Sequence, residues 1–185
     1  MRRRTSEDAK SEIREAALGL FLQHGYDGTS LEEVAEQVGV TRPAVLYHFG
    51  SKEALLLSVV DPGFEAVEAV VADVERDGAG LVDQETIVRA LVEVVLEHRR
   101  PIALITRFAN EYSVGGIGER AAGINRRTAR LLGCPTKEAD TGARVRVVAT
   151  LAALNGIVDA RVALPLDSEE EREALVRGLV ALLKS

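Results

Sequence analysis

The chain has 185 residues, a formal net charge of −6 at pH 7 and 46% hydrophobic residues. This length and apolar content allow either one domain or a small domain joined to a larger one, with a core that needs no covalent staples. The single cysteine, Cys134, excludes an internal disulfide and favours a reducing compartment. The sequence contains no run of about 18 uncharged apolar residues and no apolar signal segment, so we expect a cytoplasmic protein without membrane spans.

Helical periodicity dominates the chain and alternating strand patterns are scarce, so we predict an all-α fold. Capping residues and glycines divide the first part of the chain into short helices joined by tight turns. These helices are predicted over 6–24, from Thr29 or Ser30 to Gly39 and from Thr41 to Gly50, and Ser51 opens a fourth.

Longer helices are predicted beyond residue 60. We expect Asp61-Pro62-Gly63 to break the fourth helix, because a proline inside a helix removes a hydrogen bond and clashes with the preceding turn. The remaining helices are predicted near 83–99, 101–113, 117–132, 137–163 and 168–184. The last of them opens with a capping box, in which Ser168 caps and Glu171 bonds back, and its apolar face is predicted at Leu175, Leu179, Leu182 and Leu183.

Residues 34–45 have the spacing of a helix-turn-helix. Ala35 is small where two helices would cross, and Gly39 can adopt the left-handed backbone conformation that a tight turn needs. The alternative is a helical protein-protein interaction module, in which the same pair of helices has only a structural role.

The outward side of the predicted third helix carries no acidic residue, as is typical of a surface that contacts DNA. Arg42 is the candidate for a bidentate contact to guanine, while Pro43 and Ala44 suit thymine methyl groups. Polar side chains farther along are expected to contact phosphate oxygens and so set the register on the duplex; these are Tyr47, His48 and Lys52.

Net charge is the objection to DNA binding. Residues 1–60 contain seven Lys or Arg and nine Asp or Glu, a local sum of −2. Between Val38 and Lys52, however, the chain has two basic residues and no acidic one. Because the electric field depends on where charges lie, a small basic face on an acidic protein can bind DNA, and we expect an amino-terminal arm of arginines to assist. These are Arg2, Arg3 and Arg4.

The stretch ALGLFLQHGYDGTSLEEVAEQVGVTRPAVLYHFGSKEALL, residues 17–56, resembles the DNA-binding domain of TetR-type transcriptional regulators. The segments HGYDGTS, VAEQVGV and HFGSKEAL carry the resemblance by their order and spacing. It implies a homodimeric, ligand-responsive repressor with a helix-turn-helix domain at 1–55 and a helical effector-binding and dimerisation domain at 56–185. By position, it adds Ser30 and Thr41 to the residues expected to touch DNA.

Two positions depart from the family pattern. Leu46 stands where the family often has tyrosine, and Tyr47 follows one residue later. Glu32 stands where some members carry a basic residue that reads a base. We therefore expect the second helix to contribute little to sequence specificity.

A single short recognition helix reads about a half-site, so DNA binding predicts a homodimer on a palindromic operator of double-stranded DNA. The last two predicted helices are expected to form the dimer interface, with an intramolecular core as the alternative. They offer the apolar face of the final helix and small residues for close approach, namely Ala149, Ala152, Ala153, Gly156 and Ala160.

A pocket for an unidentified small-molecule effector is expected among the middle helices, lined mostly by apolar side chains. With 4% aromatic residues and no tryptophan, the chain favours an aliphatic or mixed ligand. Candidate contacts are two aromatic residues and the polar residues that interrupt apolar helices, each of which has a structural role as its alternative. They are Phe64, Arg107, Phe108, Asn110, Tyr112, Asn155 and Asp159.

No catalytic site, metal or cofactor is predicted, and a helical enzyme is the least favoured class. The segment GIGERA at 116–121 matches a loose dinucleotide-binding pattern, but no strand precedes it. The three histidines, His24, His48 and His98, have no histidine or cysteine partner at zinc-ligand spacing.

Overall fold

The structure is a computed structural model, and it describes residues 5–78, 82–111, 114–135, 140–158 and 166–185. Every regular element in these ranges is helical, which confirms the all-α prediction. A 3₁₀ turn at Val114–Gly116 precedes α7. The helices are α1 Ser6–His24, α2 Leu31–Val38, α3 Arg42–Phe49, α4 Lys52–Gly78, α5 Gln84–Glu97, α6 Arg99–Glu111, α7 Ile117–Leu131, α8 Thr141–Gly156 and α9 Glu169–Lys184.

The helix-turn-helix spans α2 and α3. Ser30 caps α2: its hydroxyl accepts a hydrogen bond from the Glu33 amide at 3.1 Å, and the Glu33 carboxylate accepts one from the Ser30 amide at 2.6 Å. Gly39 ends α2 in the left-handed region at φ 72°, where a side chain would be strained. Val34 and Val45 are fully buried, so apolar packing fixes the angle between the two helices.

The fourth helix runs from Lys52 to Gly78 without interruption, so the predicted break at Asp61-Pro62-Gly63 is wrong. Pro62 lies on the exposed side of α4, whereas Gly63 and Phe64 beside it are buried. A Cβ added at Gly63 would lie 3.2 Å from Ile102 and Ile105, which shows how closely α6 approaches α4 here. Tertiary packing on the inner side therefore outweighs the one backbone hydrogen bond that the proline removes.

Two apolar clusters form the core, and α4 contributes to both. The first joins Phe21, Val34 and Val45 of the amino-terminal helices to Leu104 and Phe108 of α6. The second fills the space between α5, α8 and α9. The boundary predicted between residues 55 and 56 falls within α4, so the division into two domains stays a prediction.

The carboxy-terminal helices differ from the prediction in two details. α8 ends at Gly156 and residues 157–158 form a turn, so the predicted helix 137–163 is wrong there, and its remaining ends lie in the undescribed ranges 136–139 and 159–165. In α9 the predicted face is partly wrong, because Leu182 is 41% exposed while Val176 and Val180 are buried. The capping box at Ser168 and Glu171 is confirmed. No helix in the described ranges combines the length and hydropathy needed to cross a bilayer.

Candidate DNA-binding surface and effector cavity

α3 has one buried side and one exposed side. Thr41 caps it, since its hydroxyl accepts from the Ala44 amide at 3.4 Å, and Pro43 occupies an early position where its missing N–H is harmless. Val45 is fully buried, while Arg42 and Pro43 are exposed and Ala44 is half-buried. The residues predicted to read bases therefore lie together at the amino-terminal end of one exposed helix.

The residues predicted to contact phosphate border this surface. The Tyr47 side chain is 85% exposed, and its ring lies edge-on to that of His48 at 5.4 Å between centroids. Lys52, in the first turn of α4, places its ammonium 4.2 Å from the centre of the Tyr26 ring. This cation–π contact fixes the position of Lys52 without neutralising its charge.

An ion pair links α3 to α2. The Nε atom of Arg42 lies 2.8 Å from Oε1 of Glu32, and the two side chains are 54% and 57% exposed. Sequence reasoning found no acidic residue on α3 and missed this pair, because the carboxylate comes from the neighbouring helix. The local sequence carries no signal for it, since the distance depends on how α2 and α3 cross.

A cavity lies between α4, α6, α7 and α8. Its volume, including the open mouth, is about 550 Å³, and most of its wall is apolar. Two of the predicted effector contacts, Phe64 and Asn155, are in the wall. The lining residues are Gly63, Phe64, Val67, Ile102, Ile105, Thr106, Ala109, Ala121, Ile124, Asn125 and Asn155.

Other predicted effector contacts lie elsewhere. The Arg107 guanidinium donates to the Leu22 carbonyl at 2.9 Å and so satisfies the end of α1. Phe108 is fully buried, with its ring edge-on to Tyr26 at 6.3 Å between centroids. Neither residue is in the cavity wall. Tyr112, Asp159 and the side chain of Asn110 lie outside the described residues, as does the predicted arginine arm, Arg2 to Arg4.

Beside the cavity, Arg120 of α7 forms a cluster with three residues of α4. Its guanidinium donates two hydrogen bonds to Glu68 and one to Asp61, each at 2.8 Å. It also lies 4.4 Å from the centre of the Phe64 ring. The hydrogen bonds from Arg120 hold the pKa of Glu68 below its ordinary value, and they raise the pKa of Arg120 in turn. Sequence analysis did not predict this role for Arg120, which lies in the segment GIGERA at 116–121.

A second arginine repeats this link one heptad later. Arg127 donates two hydrogen bonds to Glu75, at 3.1 and 2.6 Å. Arg120 and Arg127 are seven residues apart on α7, as Glu68 and Glu75 are on α4, so the two helices are clamped twice along matching faces. This matched spacing is the one feature of the sequence that agrees with the α4–α7 contact, and it does not by itself identify the contact.

The surface of α8 and α9 carries exposed apolar side chains. Val145 and Val148 of α8 are 61% and 63% exposed, and Leu182 of α9 is 41% exposed. A Cβ added at Gly156 or Gly178 would meet no atom of the described residues within 4 Å. Among the described residues, no group of three His, Cys, Asp or Glu side chains has the arrangement of a metal site.

Comparison with known proteins assigns the amino-terminal helices to a family. Residues 13–59 match the family model for bacterial regulatory proteins of the tetR family. The chain is 37% identical over 93 residues to the HTH-type transcriptional regulator RutR of Escherichia coli K12, covering 50% of this chain and 44% of RutR. It is 33% identical over 66 residues to the HTH-type transcriptional repressor AcnR of Corynebacterium glutamicum, covering 36% and 35% of the two chains. The chain thus spans less than half the length of these two relatives.

Solved structures extend the likeness to the whole fold. SCO3833 of Streptomyces coelicolor, a TetR-family member, has a TM-score of 0.72 at 23% identity, covering 92% of this chain and 88% of that one. AmtR of Mycobacterium smegmatis has a TM-score of 0.71 at 18% identity, covering 100% and 90%. At these identities the likeness establishes the fold: an amino-terminal helix-turn-helix domain followed by a helical domain. The amino-terminal helices thus match the DNA-binding region of tetR-type bacterial regulatory proteins, and the whole chain shares the fold of solved TetR-family members.

Proposed function

We propose that this protein is a homodimeric DNA-binding transcriptional repressor, released from a palindromic operator by a small-molecule effector. The exposed side of α3 carries the proposal. Tyr47 is 85% exposed while Val45 on the same short helix is fully buried, so the outer side chains of α3 have little packing role. A helix with an exposed side, an arginine at its start and no acid of its own suits the major groove.

The proposed DNA contacts divide into two kinds. Base contacts are assigned to Arg42, Pro43 and Ala44, which lie at the start of α3. Phosphate contacts are assigned to polar side chains at helix ends and along the exposed side, which would set the register. These are Ser30, Thr41, Tyr47, His48 and Lys52.

The dimer is proposed to form through α8 and α9. Val145, Val148 and Leu182 are large apolar side chains left exposed on this surface. The open space beside Gly156 and Gly178 leaves room for the backbone of another helix to approach. A two-fold axis through this surface would bury the same side chains twice and present two copies of α3 to the two half-sites.

The cavity between α4, α6, α7 and α8 is the proposed effector site. None of the wall residues that the structure describes is ionisable, and the nearby guanidinium of Arg120 is already bonded to Asp61 and Glu68. Asn125 and Asn155 make no side-chain hydrogen bond within the described residues, so their amides are available to a ligand. We therefore expect a neutral effector with an apolar body and one hydrogen-bonding end.

Selection of bound duplexes from a random pool tests this proposal. We expect the recovered sequences to contain an inverted repeat and their binding to weaken steeply as salt rises, because counterions are released from each contacted phosphate. Arg42→Ala should alter the base preference at one position of each half-site. Lys52→Ala should weaken binding to all sequences and reduce the salt slope by roughly one per contact.

The same selection separates the proposal from its alternatives. A purely structural hairpin in a protein-protein interaction module predicts no selected inverted repeat and no salt-dependent duplex binding. A regulator without an effector predicts selective binding that no neutral amphipathic compound reverses, and no ligand that raises the melting temperature.

A further inference from the structure

We infer, on the basis of the DNA-binding function proposed above, that Glu32 is a positioning residue that holds Arg42 in one orientation and thereby sets the base preference of α3. The observation is the ion pair between α2 and α3, in which Arg42 Nε and Glu32 Oε1 are 2.8 Å apart. The pair lies on the surface that α3 would present to the groove, so its geometry bears directly on base readout.

The position of the Glu32 carboxylate beside Arg42 decides which contacts Arg42 can make to a base. An arginine has five N–H donors, one on Nε and two on each terminal nitrogen, and the Glu32 carboxylate lies beside Nε. The two terminal nitrogens remain, and together they form a fork that can donate to O6 and N7 of one guanine. A base acceptor that approached Arg42 from the Nε side would meet the negative charge of Glu32 and be repelled while the pair is intact. Glu32 therefore favours the end-on geometry of Arg42, which discriminates guanine from the other bases.

The pair has little role in the stability of the fold. Both side chains are more than half exposed, and ion pairs of this kind contribute little to folding in water. The capping box of α2 uses Glu33, so substitution of Glu32 leaves the cap in place. A carboxylate facing a polyanion also weakens binding by like-charge repulsion. Its placement therefore favours selectivity at the expense of affinity.

Glu36 offers a matched control. It lies on α2 one turn after Glu32, is exposed, and makes no ion pair within the described residues. Glu36→Gln thus removes the same charge from the same helix without releasing Arg42. Any effect shared by Glu32→Gln and Glu36→Gln reports net charge, and any effect confined to Glu32→Gln reports the pair.

The test measures dissociation constants of the full-length protein for its selected duplex and for duplexes with each substitution at the base pair whose preference Arg42→Ala relaxes. Thermal unfolding first confirms that every variant is folded. For Glu32→Gln we expect stronger binding to mismatched duplexes and a loss of discrimination by about fivefold or more, the lower end of what a bidentate contact provides. For Glu36→Gln we expect discrimination within about twofold of wild type. In the double variant with Arg42→Ala, Glu32→Gln should have no further effect on discrimination.

Two results would overturn the inference while leaving the proposed function intact. One is a Glu32→Gln variant that discriminates as wild type does. The other is a Glu32→Gln variant that gains affinity and discrimination together, since that would mean Glu32 sequesters Arg42 from DNA rather than orienting it. A wild-type protein without any sequence preference would instead refute the proposed function and this inference with it.

Discussion

Arg120→Ala is expected to destabilise the protein by weakening α4 at its proline. Arg120 bonds to Asp61 on one side of Pro62-Gly63 and to Glu68 on the other, while its guanidinium covers Phe64 between them. The side chain thus acts as a brace between α7 and α4 that begins beside Pro62, whose missing N–H leaves the Ser58 carbonyl without its helical hydrogen bond.

The expected loss in the free energy of unfolding depends on how far the three charged side chains are exposed to solvent. The side chains of Arg120, Asp61 and Glu68 are 35%, 43% and 32% exposed, so each charge is partly screened by solvent. Partly exposed ion pairs contribute up to about 1 kcal/mol each, and a cation–π contact adds about 0.5–1 kcal/mol. We expect a loss of about 2 kcal/mol in the free energy of unfolding, which lowers the melting temperature by about 4–8 °C for a chain of this length.

Arg127→Ala is the matched control, because Arg127 joins the same two helices through two hydrogen bonds to Glu75. Among the residues that the structure describes it has no third hydrogen bond and no aromatic contact, and it does not lie beside a proline, so its removal should cost less. Thermal and urea unfolding, followed by circular dichroism, measure both variants. Equal losses for Arg120→Ala and Arg127→Ala would refute the brace.

Comparing Arg120→Ala in the wild-type protein and in the Pro62→Ala variant isolates the role of Pro62. Pro62→Ala restores the missing N–H, so α4 should then depend less on Arg120 and the loss caused by Arg120→Ala should shrink. If Arg120→Ala lowers the free energy of unfolding equally in both backgrounds, the two residues act independently and the reasoning fails.

The remaining predictions concern pH, backbone strain and assembly. The pKa of Glu68 is lowered from its ordinary value of 4.5 by hydrogen bonds from a guanidinium, so its contribution to stability is complete above pH 4.5 and is lost as pH falls through the lower folded pKa; unfolding across this range should show a weaker pH dependence in Glu68→Gln. Gly115→Ala would place a Cβ 2.8 Å from Leu57 Cδ2 at φ +57°, whereas Gly116→Ala at φ +72° meets nothing within 4 Å. Both should lose about 1 kcal/mol to the left-handed backbone, and the first should lose more, as thermal unfolding would show. Val148→Glu should shift the protein from dimer to monomer in analytical ultracentrifugation, because Val148 is 63% exposed on the proposed interface.

Helix starts were predictable because their causes are local. Ser30, Thr41 and Ser168 each cap through an amide three residues ahead, so the chemistry lies within four positions of sequence. Pro62 shows the limit of the same approach. Its local effect is to break a helix, but burial of Gly63 and Phe64 against α6 and α7 decides the outcome, and those contacts join distant parts of the chain.

In the candidate sites too, features set by local sequence were predictable and contacts between helices were not. The exposed side of α3 followed from helical spacing alone, whereas the pairing of Glu32 with Arg42 depends on the crossing of two helices. Arg107, a polar residue in an apolar helix, satisfies the Leu22 carbonyl at the end of α1 and lies outside the wall of the cavity, so its role as an effector contact stays a prediction. Only the fold distinguishes such a structural residue from a ligand contact.

The brace at Arg120 also bears on how an effector would reach α3 under the proposed function. Phe64 lies in the cavity wall, and Asp61, less than one turn earlier on α4, lines a groove shared with His48 and Phe49 of α3. Because Arg120 contacts both α4 residues, a ligand pressing on the Phe64 ring would disturb the same cluster that stiffens α4.

α4 can carry the effect of a bound ligand to α3 in two ways, and the Pro62→Ala variant distinguishes them. If α4 moves as a rod held straight by Arg120, Pro62→Ala should leave ligand-dependent release from DNA unchanged, because a stiffer rod transmits the same displacement. If α4 instead bends at its proline, Pro62→Ala should abolish release while operator affinity is kept. Arg120 hydrogen-bonds to Asp61 before Pro62 and to Glu68 after it, and α4 is helical throughout, which favours motion of α4 as a rod. We therefore expect the Pro62→Ala variant still to be released from its operator by the effector, as measured by fluorescence anisotropy.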